Sequence, residues 1–257
     1  MTGTSVNFDR AATVYDSTRT LPDASETALI DAIADELAGR GSCLEVGVGT
    51  GRLAVPLRRR GIDMYGVDIS VGMLTELLRK GGAGQLPLVT IADATDLPFE
   101  DGRFDAVLAN HVLHLVSDWQ RALRELHRVV RRGGVVIIGA GGLELPIVRA
   151  LRERIRAEAG KVQDGPLTSP EPLEELMRSL GAAQRLLAPI PRGERTTLRA
   201  ELDWLEDNGS ALTWDLADAT RVAAVQAARE WAAREYGDLD SVYIDDAPLT
   251  VRVYDVS

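Results

Sequence analysis

The chain has 257 residues, 45% of them hydrophobic, enough to bury one large or two small cores. A net charge of −10, with only short basic clusters at residues 58–60 and 131–132, argues against a nucleic-acid partner, whose phosphates call for a basic stripe. No apolar run approaches the ~20 residues of a membrane span, residues 1–19 lack the apolar core of a secretion signal, and the single cysteine, Cys43, excludes an internal disulfide or a cysteine metal cluster.

Residues 8–18 and 25–38 read as two helices forming an N-terminal segment, 1–39. From residue 40 to 142 short apolar runs alternate with helical patterns. Residues 43–46, 64–67, 88–92, 106–109 and 135–139 are rich in Val, Ile and Leu and bounded by Gly, Asp or Pro, as buried strands are. Between them, 51–60, 71–79 and 118–131 have helical spacing, the last with Trp119, Ala122, Leu123, Leu126, Val129 and Val130 on one face. Residues 143–257 continue with helices at 145–159 and 171–180, a strand at 184–190, helices at 196–206 and 215–236, and a last strand at 248–256. Strand–helix alternation predicts an α/β fold: a doubly wound, mostly parallel seven-stranded sheet, carried as one domain with a helical insertion near the C-terminus.

The chemistry-bearing residues cluster at strand ends. Leu44-Glu45-Val46-Gly47-Val48-Gly49-Thr50-Gly51-Arg52 joins the first strand to a helix, and three glycines at every second position permit a tight turn and close approach of a ligand to the main chain. The spacing G-x-G-x-G differs from the G-x-G-x-x-G dinucleotide fingerprint. Asp68 ends the second strand in Tyr65-Gly66-Val67-Asp68-Ile69-Ser70, where a carboxylate can accept from both hydroxyls of a ribose. Asp93 ends the third strand, before Leu97-Pro98-Phe99, and can accept from an adenine amino group. Acids at successive strand tips, with the glycine turn between them, meet at the switch point of such a sheet.

These motifs, with Phe104-Asp105-Ala106-Val107 and the Arg131-Arg132-Gly133-Gly134 stretch, resemble those of the class I S-adenosylmethionine-dependent methyltransferases, most closely the small-molecule branch of ubiquinone- and menaquinone-type enzymes. The likeness is good over residues 40–140. It implies a Rossmann-like methyltransferase fold, S-adenosyl-L-methionine as cofactor, a small-molecule substrate and an N-terminal segment, 1–39, that closes over the cofactor; with the charge, the missing signal and the missing apolar span, the expectation is a cytoplasmic monomer or homodimer bound to neither nucleic acid nor membrane. By position it implies that Gly47, Gly49 and Gly51 bring main chain against the methionine part and that Glu45 sits near its ammonium. Asp68 would hold the ribose, Ile69 and Met73 line the pocket, Asp93 and the Ala94 amide read the adenine, and Asn110 offers main-chain contacts.

Methyl transfer from a sulfonium mainly requires alignment of the nucleophile, with a general base when the acceptor must lose a proton. His111, in Asn110-His111-Val112-Leu113-His114 after the fourth strand, is the expected base or orienting group. His127 lies in a helix without ligand geometry, so no metal is expected. Two alternative functions share parts of this pattern. A nicotinamide dehydrogenase of the short-chain type would carry Tyr-x-x-x-Lys, which none of the tyrosines begins. A protein that binds the cofactor without transferring methyl, as a cyclase or regulator, shares every binding motif.

Overall fold

Runs that are apolar on both sides become the strands of a single sheet in the computed structural model, which describes residues 5–13, 15–18, 23–81, 84–140, 145–160, 169–207, 209–210, 212–214 and 216–257. In chain order the elements are α1 (Tyr15–Thr18), α2 (Asp23–Leu37), β1 (Ser42–Val46), α3 (Ala54–Arg59), β2 (Asp63–Asp68), α4 (Val71–Arg79), β3 (Leu88–Ile91), β4 (Phe104–Asn110), α5 (Trp119–Val129), β5 (Val130–Ala140) and α6 (Pro146–Glu158). They continue as α7 (Glu171–Ser179), β6 (Ala183–Leu186), β7 (Glu194–Thr196), α8 (Leu198–Glu206), α9 (Asp218–Tyr236), β8 (Tyr243–Asp245) and β9 (Thr250–Asp255).

The seven-stranded sheet has the order β3-β2-β1-β4-β5-β9-β6, with β9 antiparallel to both neighbours and β1 to β5 paired in parallel. The expected mostly parallel, doubly wound sheet is therefore present. Side-chain alternation divides its core in two. Leu44, Val46, Val107, Ala109, Val136 and Ile138 pack with α5 and α7 residues such as Leu123, Leu126 and Met177. Cys43, Met64, Ala106, Leu108, Val135 and Ile137 pack with Ile33 and Leu37 of α2, Leu57 of α3 and Leu77 of α4. Complete burial of Cys43 pushes its thiol pKa far up, so it serves as packing and not as a nucleophile.

Three local departures have physical causes. Residues 8–18 do not form one helix: a turn occupies 9–13 and helix is limited to α1. Asn7 Oδ1 accepts from the Asp9 amide at 2.7 Å, and the Asp9 carboxylate is committed to the start of α4. The helix after the glycine turn begins at Ala54 and not at residue 51, because the left-handed backbone of Gly51 (φ +80°) interrupts it. The predicted helix at 118–131 stops at Val129, and pairing then jumps from Phe104↔Val130 to Ala106↔Val135. Residues 131–134 bulge there, and a Cβ on Gly134 would stand 2.6 Å from the Asp105 carbonyl oxygen, so only glycine fits.

The chain forms two compact units: Met1–Gly141 with Asp164–Ile190 and Leu249–Ser257, and Gly142–Gln163 with Pro191–Pro248. The stretch 143–257 is thus shared between them. The second unit packs α6, α8 and α9 around Leu151, Ile155, Leu198, Leu202, Leu205 and Val225, with the short β7–β8 ribbon, which the sequence pattern did not indicate. Trp204 packs against this cluster with the Arg152 guanidinium 5.6 Å from its ring centre.

Candidate active site

Because β1 is flanked by β2 on one side and β4 on the other, the loops leaving β1 and β4 part at the carboxyl edge of the sheet. The three glycines of the first loop all have positive φ but do different work. A Cβ on Gly47 would lie 2.5 Å from Val112 Cγ2, so its absence lets the two loops touch. A Cβ on Gly51 would strike Val55 at 2.8 Å and Leu77 at 3.0 Å, so Gly51 permits packing against α4. A Cβ on Gly49 would meet no atom of the described residues closer than 4.0 Å: the side it would fill is open space.

Asp68, at the end of β2, ties the motifs together. Its Oδ2 accepts from the Gly49 amide and its Oδ1 from the Ser70 amide, each at 2.8 Å. Burial raises its pKa, these amide donors oppose the rise, and the nearby Asp9 charge adds to it. Asp93, past β3, accepts at Oδ1 from the Thr95 amide and hydroxyl, both at 2.8 Å, which fixes the turn that presents it. Met73 is buried at the start of α4, its amide donating to the Ser70 hydroxyl at 3.1 Å. After β4, His111 holds a left-handed conformation (φ +54°), the one such non-glycine among the described residues. Its amide donates to the Gly139 carbonyl at 3.1 Å, and its exposed ring meets that of His114 edge-on at 6.5 Å. Strain of this kind recurs where a side chain is held for function.

Glu45 is different. It is buried on β1, takes a hydrogen bond from the Ala54 amide, and its Oε2 has no hydrogen-bond partner. Burial, with the Asp68 charge adding, pushes its pKa up to about 8.

The N-terminal segment is fastened at several points. Asp9 Oδ1 accepts from the Ser70 hydroxyl at 2.6 Å and the Gly72 amide at 2.8 Å, contacts that hold its carboxyl below the usual range. Asp16 accepts from the Thr50 hydroxyl at 2.5 Å and pairs with Lys80, whose ammonium also donates to the Thr50 carbonyl. The Val6 amide donates to the Leu115 carbonyl at 3.1 Å.

These parts line one cleft, open at its mouth. Of the residues named from the sequence, Gly47, Gly49, Asp68, Ile69, Met73, Asp93, Ala94, Asn110 and His111 line it together; Glu45 and Gly51 are not among its lining residues. Ser5, Val6, Phe8 and Tyr15 line it as well, the last two rings meeting edge-on at 5.8 Å. The Asp9 and Asp16 fastenings had no sequence signal beyond a polar residue in an N-terminal segment.

An adenosyl sulfonium fits this donor set. Two carboxylates end adjacent strands, ready to accept from hydroxyl and amino groups. Val46, Val67, Ile69, Met73 and Ala92 supply apolar walls, and the empty side of Gly49 is a cradle that a Cβ would fill. The unpartnered Glu45 oxygen leaves hydrogen-bonding capacity behind the turn.

Residues 44–138 match the model of a methyltransferase domain. An uncharacterized protein of Methanocaldococcus jannaschii is 33% identical over 198 residues, 75% of this chain and 91% of that protein. The demethylmenaquinone methyltransferase of Thermobifida fusca is 40% identical over 113 residues, 43% of this chain and 46% of that enzyme. The chain thus spans about half the length of that enzyme. Among solved structures, a SAM-dependent methyltransferase of Thermotoga maritima superposes with a TM-score of 0.58 at 22% identity, covering 96% of this chain and 98% of the other, which is a likeness of fold. With the glycine turn, the strand-end carboxylates and the sheet order in place, and with a demethylmenaquinone methyltransferase of Thermus thermophilus 33% identical over 156 residues, 56% of this chain and 70% of that enzyme, the chain belongs to the class I S-adenosylmethionine-dependent methyltransferases.

Proposed function

We propose that the cleft binds S-adenosylmethionine through Asp68 and Asp93 and methylates a small, largely apolar molecule that loses a proton in the reaction. The observation that carries this reading is the meeting of Gly47, Gly49, Asp68, Asp93 and His111 in one cleft. Asp68 accepts from the ribose hydroxyls, and its own amide partners on Gly49 and Ser70 keep its oxygens aimed. Asp93 and the Ala94 amide read the adenine edge, with Ile69 and Met73 against the ring. Gly47, Gly49 and Asn110 bring main chain to the amino-acid end. Glu45 acts from behind the glycine turn. The bound cofactor supplies a methyl group on a positively charged sulfur, already a good leaving group.

His111 stands at the cleft where an acceptor would meet that methyl, and an imidazole can take a proton near neutral pH. The fastened N-terminal segment, with Phe8 and Tyr15 at the cleft, excludes water and offers apolar surface. Val112, Leu115 and Val116 continue that surface. The similarity to demethylmenaquinone methyltransferases supports an aromatic acceptor of the quinol or phenol class. A monomer or homodimer working in the cytoplasm completes the reading.

The test is transfer of labelled methyl from the cofactor to a panel of naphthoquinols, phenols and amines. Label in a quinol or phenol is the expected result. Cofactor uptake with no label in any acceptor would turn the reading toward the binding protein without transfer.

A further inference from the structure

Gly139 is the second-to-last residue of β5, buried, with β4 on one side and β9 on the other. Its φ is not positive, so no turn requires glycine there, and glycine inside a strand costs stability and leaves nothing to pack. A gap in a central strand calls for a neighbour that fills it. The neighbour is Asn110, its partner in register on β4. A Cβ built on Gly139 would stand 2.0 Å from Asn110 Oδ1, 3.0 Å from its Cγ and 3.5 Å from its Cβ, and these are the three nearest atoms. The Asn110 carboxamide therefore occupies the space that any other residue at 139 would take. The carbonyl of the same glycine receives the amide of His111 at 3.1 Å, the next residue and the strained one.

From this juxtaposition we infer that Gly139 is a positioning residue for the cofactor end of the cleft, its missing side chain seating the Asn110 carboxamide while its carbonyl holds the His111 backbone. Gly139 itself does not line the cleft, whereas Asn110 and His111 both do. The inference rests on the cleft being the cofactor site. An alanine at 139 strikes only the far end of a side chain, so the strand accommodates it and the carboxamide moves. Displaced, that group intrudes on the ligand's space or shifts the Asn110 main chain that faces the ligand.

The experiment compares the full chain and its Gly139→Ala, Asn110→Ala and Asn110→Ala/Gly139→Ala variants. The readouts are calorimetric affinity for S-adenosylhomocysteine and the thermal unfolding midpoint without ligand. Gly139→Ala is expected to unfold near the wild-type temperature yet bind at least about fivefold more weakly, the scale of one lost hydrogen bond. In the Asn110→Ala background, where the seat is vacant, adding Gly139→Ala is expected to change the affinity less than about twofold, a non-additivity that general damage to the strand would not give. Wild-type affinity in Gly139→Ala, or an equal loss in both backgrounds, overturns the inference. If Gly139→Ala alone fails to fold, the double variant decides: folded with the affinity of Asn110→Ala it supports the seat, and unfolded it refutes it. Wild-type protein that takes up no S-adenosylhomocysteine defeats the underlying cofactor reading instead, before any substitution is compared.

Discussion

Replacing Glu45 with glutamine removes a titrating proton from the centre of the sheet while keeping the shape of the side chain. The wild-type carboxyl is buried, accepts from the Ala54 amide and leaves Oε2 without a partner, so ionisation there is unfavourable and its pKa rises from 4.5 to about 8. Between those values the folded protein holds a proton that the unfolded chain has released. The folded state is therefore stabilised relative to the unfolded one below pH 4.5, and this advantage is lost as pH climbs toward 8. The full span corresponds to about 5 kcal/mol, with a limiting slope of about 1.4 kcal/mol per pH unit. Urea unfolding of both proteins at pH 5.5, 6.5, 7.5 and 8.5 measures the difference. Glu45→Gln should lie nearest wild type at the lowest pH and become progressively more stable relative to it up to about pH 8, while contributions shared by all other groups cancel. Curves that stay parallel across the range would refute the buried, under-bonded carboxyl on which the reasoning stands.

Asp68→Ala should weaken calorimetric binding of S-adenosylhomocysteine by about 1–3 kcal/mol, the scale of charge-assisted hydrogen bonds, and unchanged affinity would remove Asp68 from the site. His111→Ala should slow methyl transfer while leaving cofactor affinity nearly intact. His111→Gly should slow it equally but resist denaturant better than His111→Ala by about 1 kcal/mol, because glycine alone adopts φ +54° without strain. Asp9→Ala releases the N-terminal segment from Ser70 and Gly72. It should cost about 0.5–1 kcal/mol of stability and speed S-adenosylhomocysteine dissociation in stopped-flow, and an unaltered off-rate would deny that segment a part in retention.

The sheet was legible because parallel strands covered on both faces must be apolar on both faces, and residues such as Leu44, Val67, Val107 and Val136 carry that requirement in one dimension. The site was legible for a related reason. Chain reversal at the switch point brings the ends of β1, β2, β3 and β4 together, so Gly49, Asp68, Asp93 and Asn110 meet although up to 61 positions separate them. Glu45 and Gly51 show the limit of that logic. Their spacing matched the motif, yet strand alternation turns Glu45 toward α3, and Gly51 faces Leu77.

Sequence alone determined the fold class and the placing of acids and glycines at strand tips, because hydrophobic period and glycine spacing are local properties of a chain, and the likeness of those motifs to a known family implied the cofactor. Tertiary structure decided the rest. The commitment of Asp9 to a helix start 61 residues away, the burial that withholds a partner from Glu45, and the fit of Asn110 into the gap at Gly139 all depend on which atoms become neighbours in space. Distances and dielectric surroundings set those energies, and no pattern along the chain encodes either until the sheet has closed.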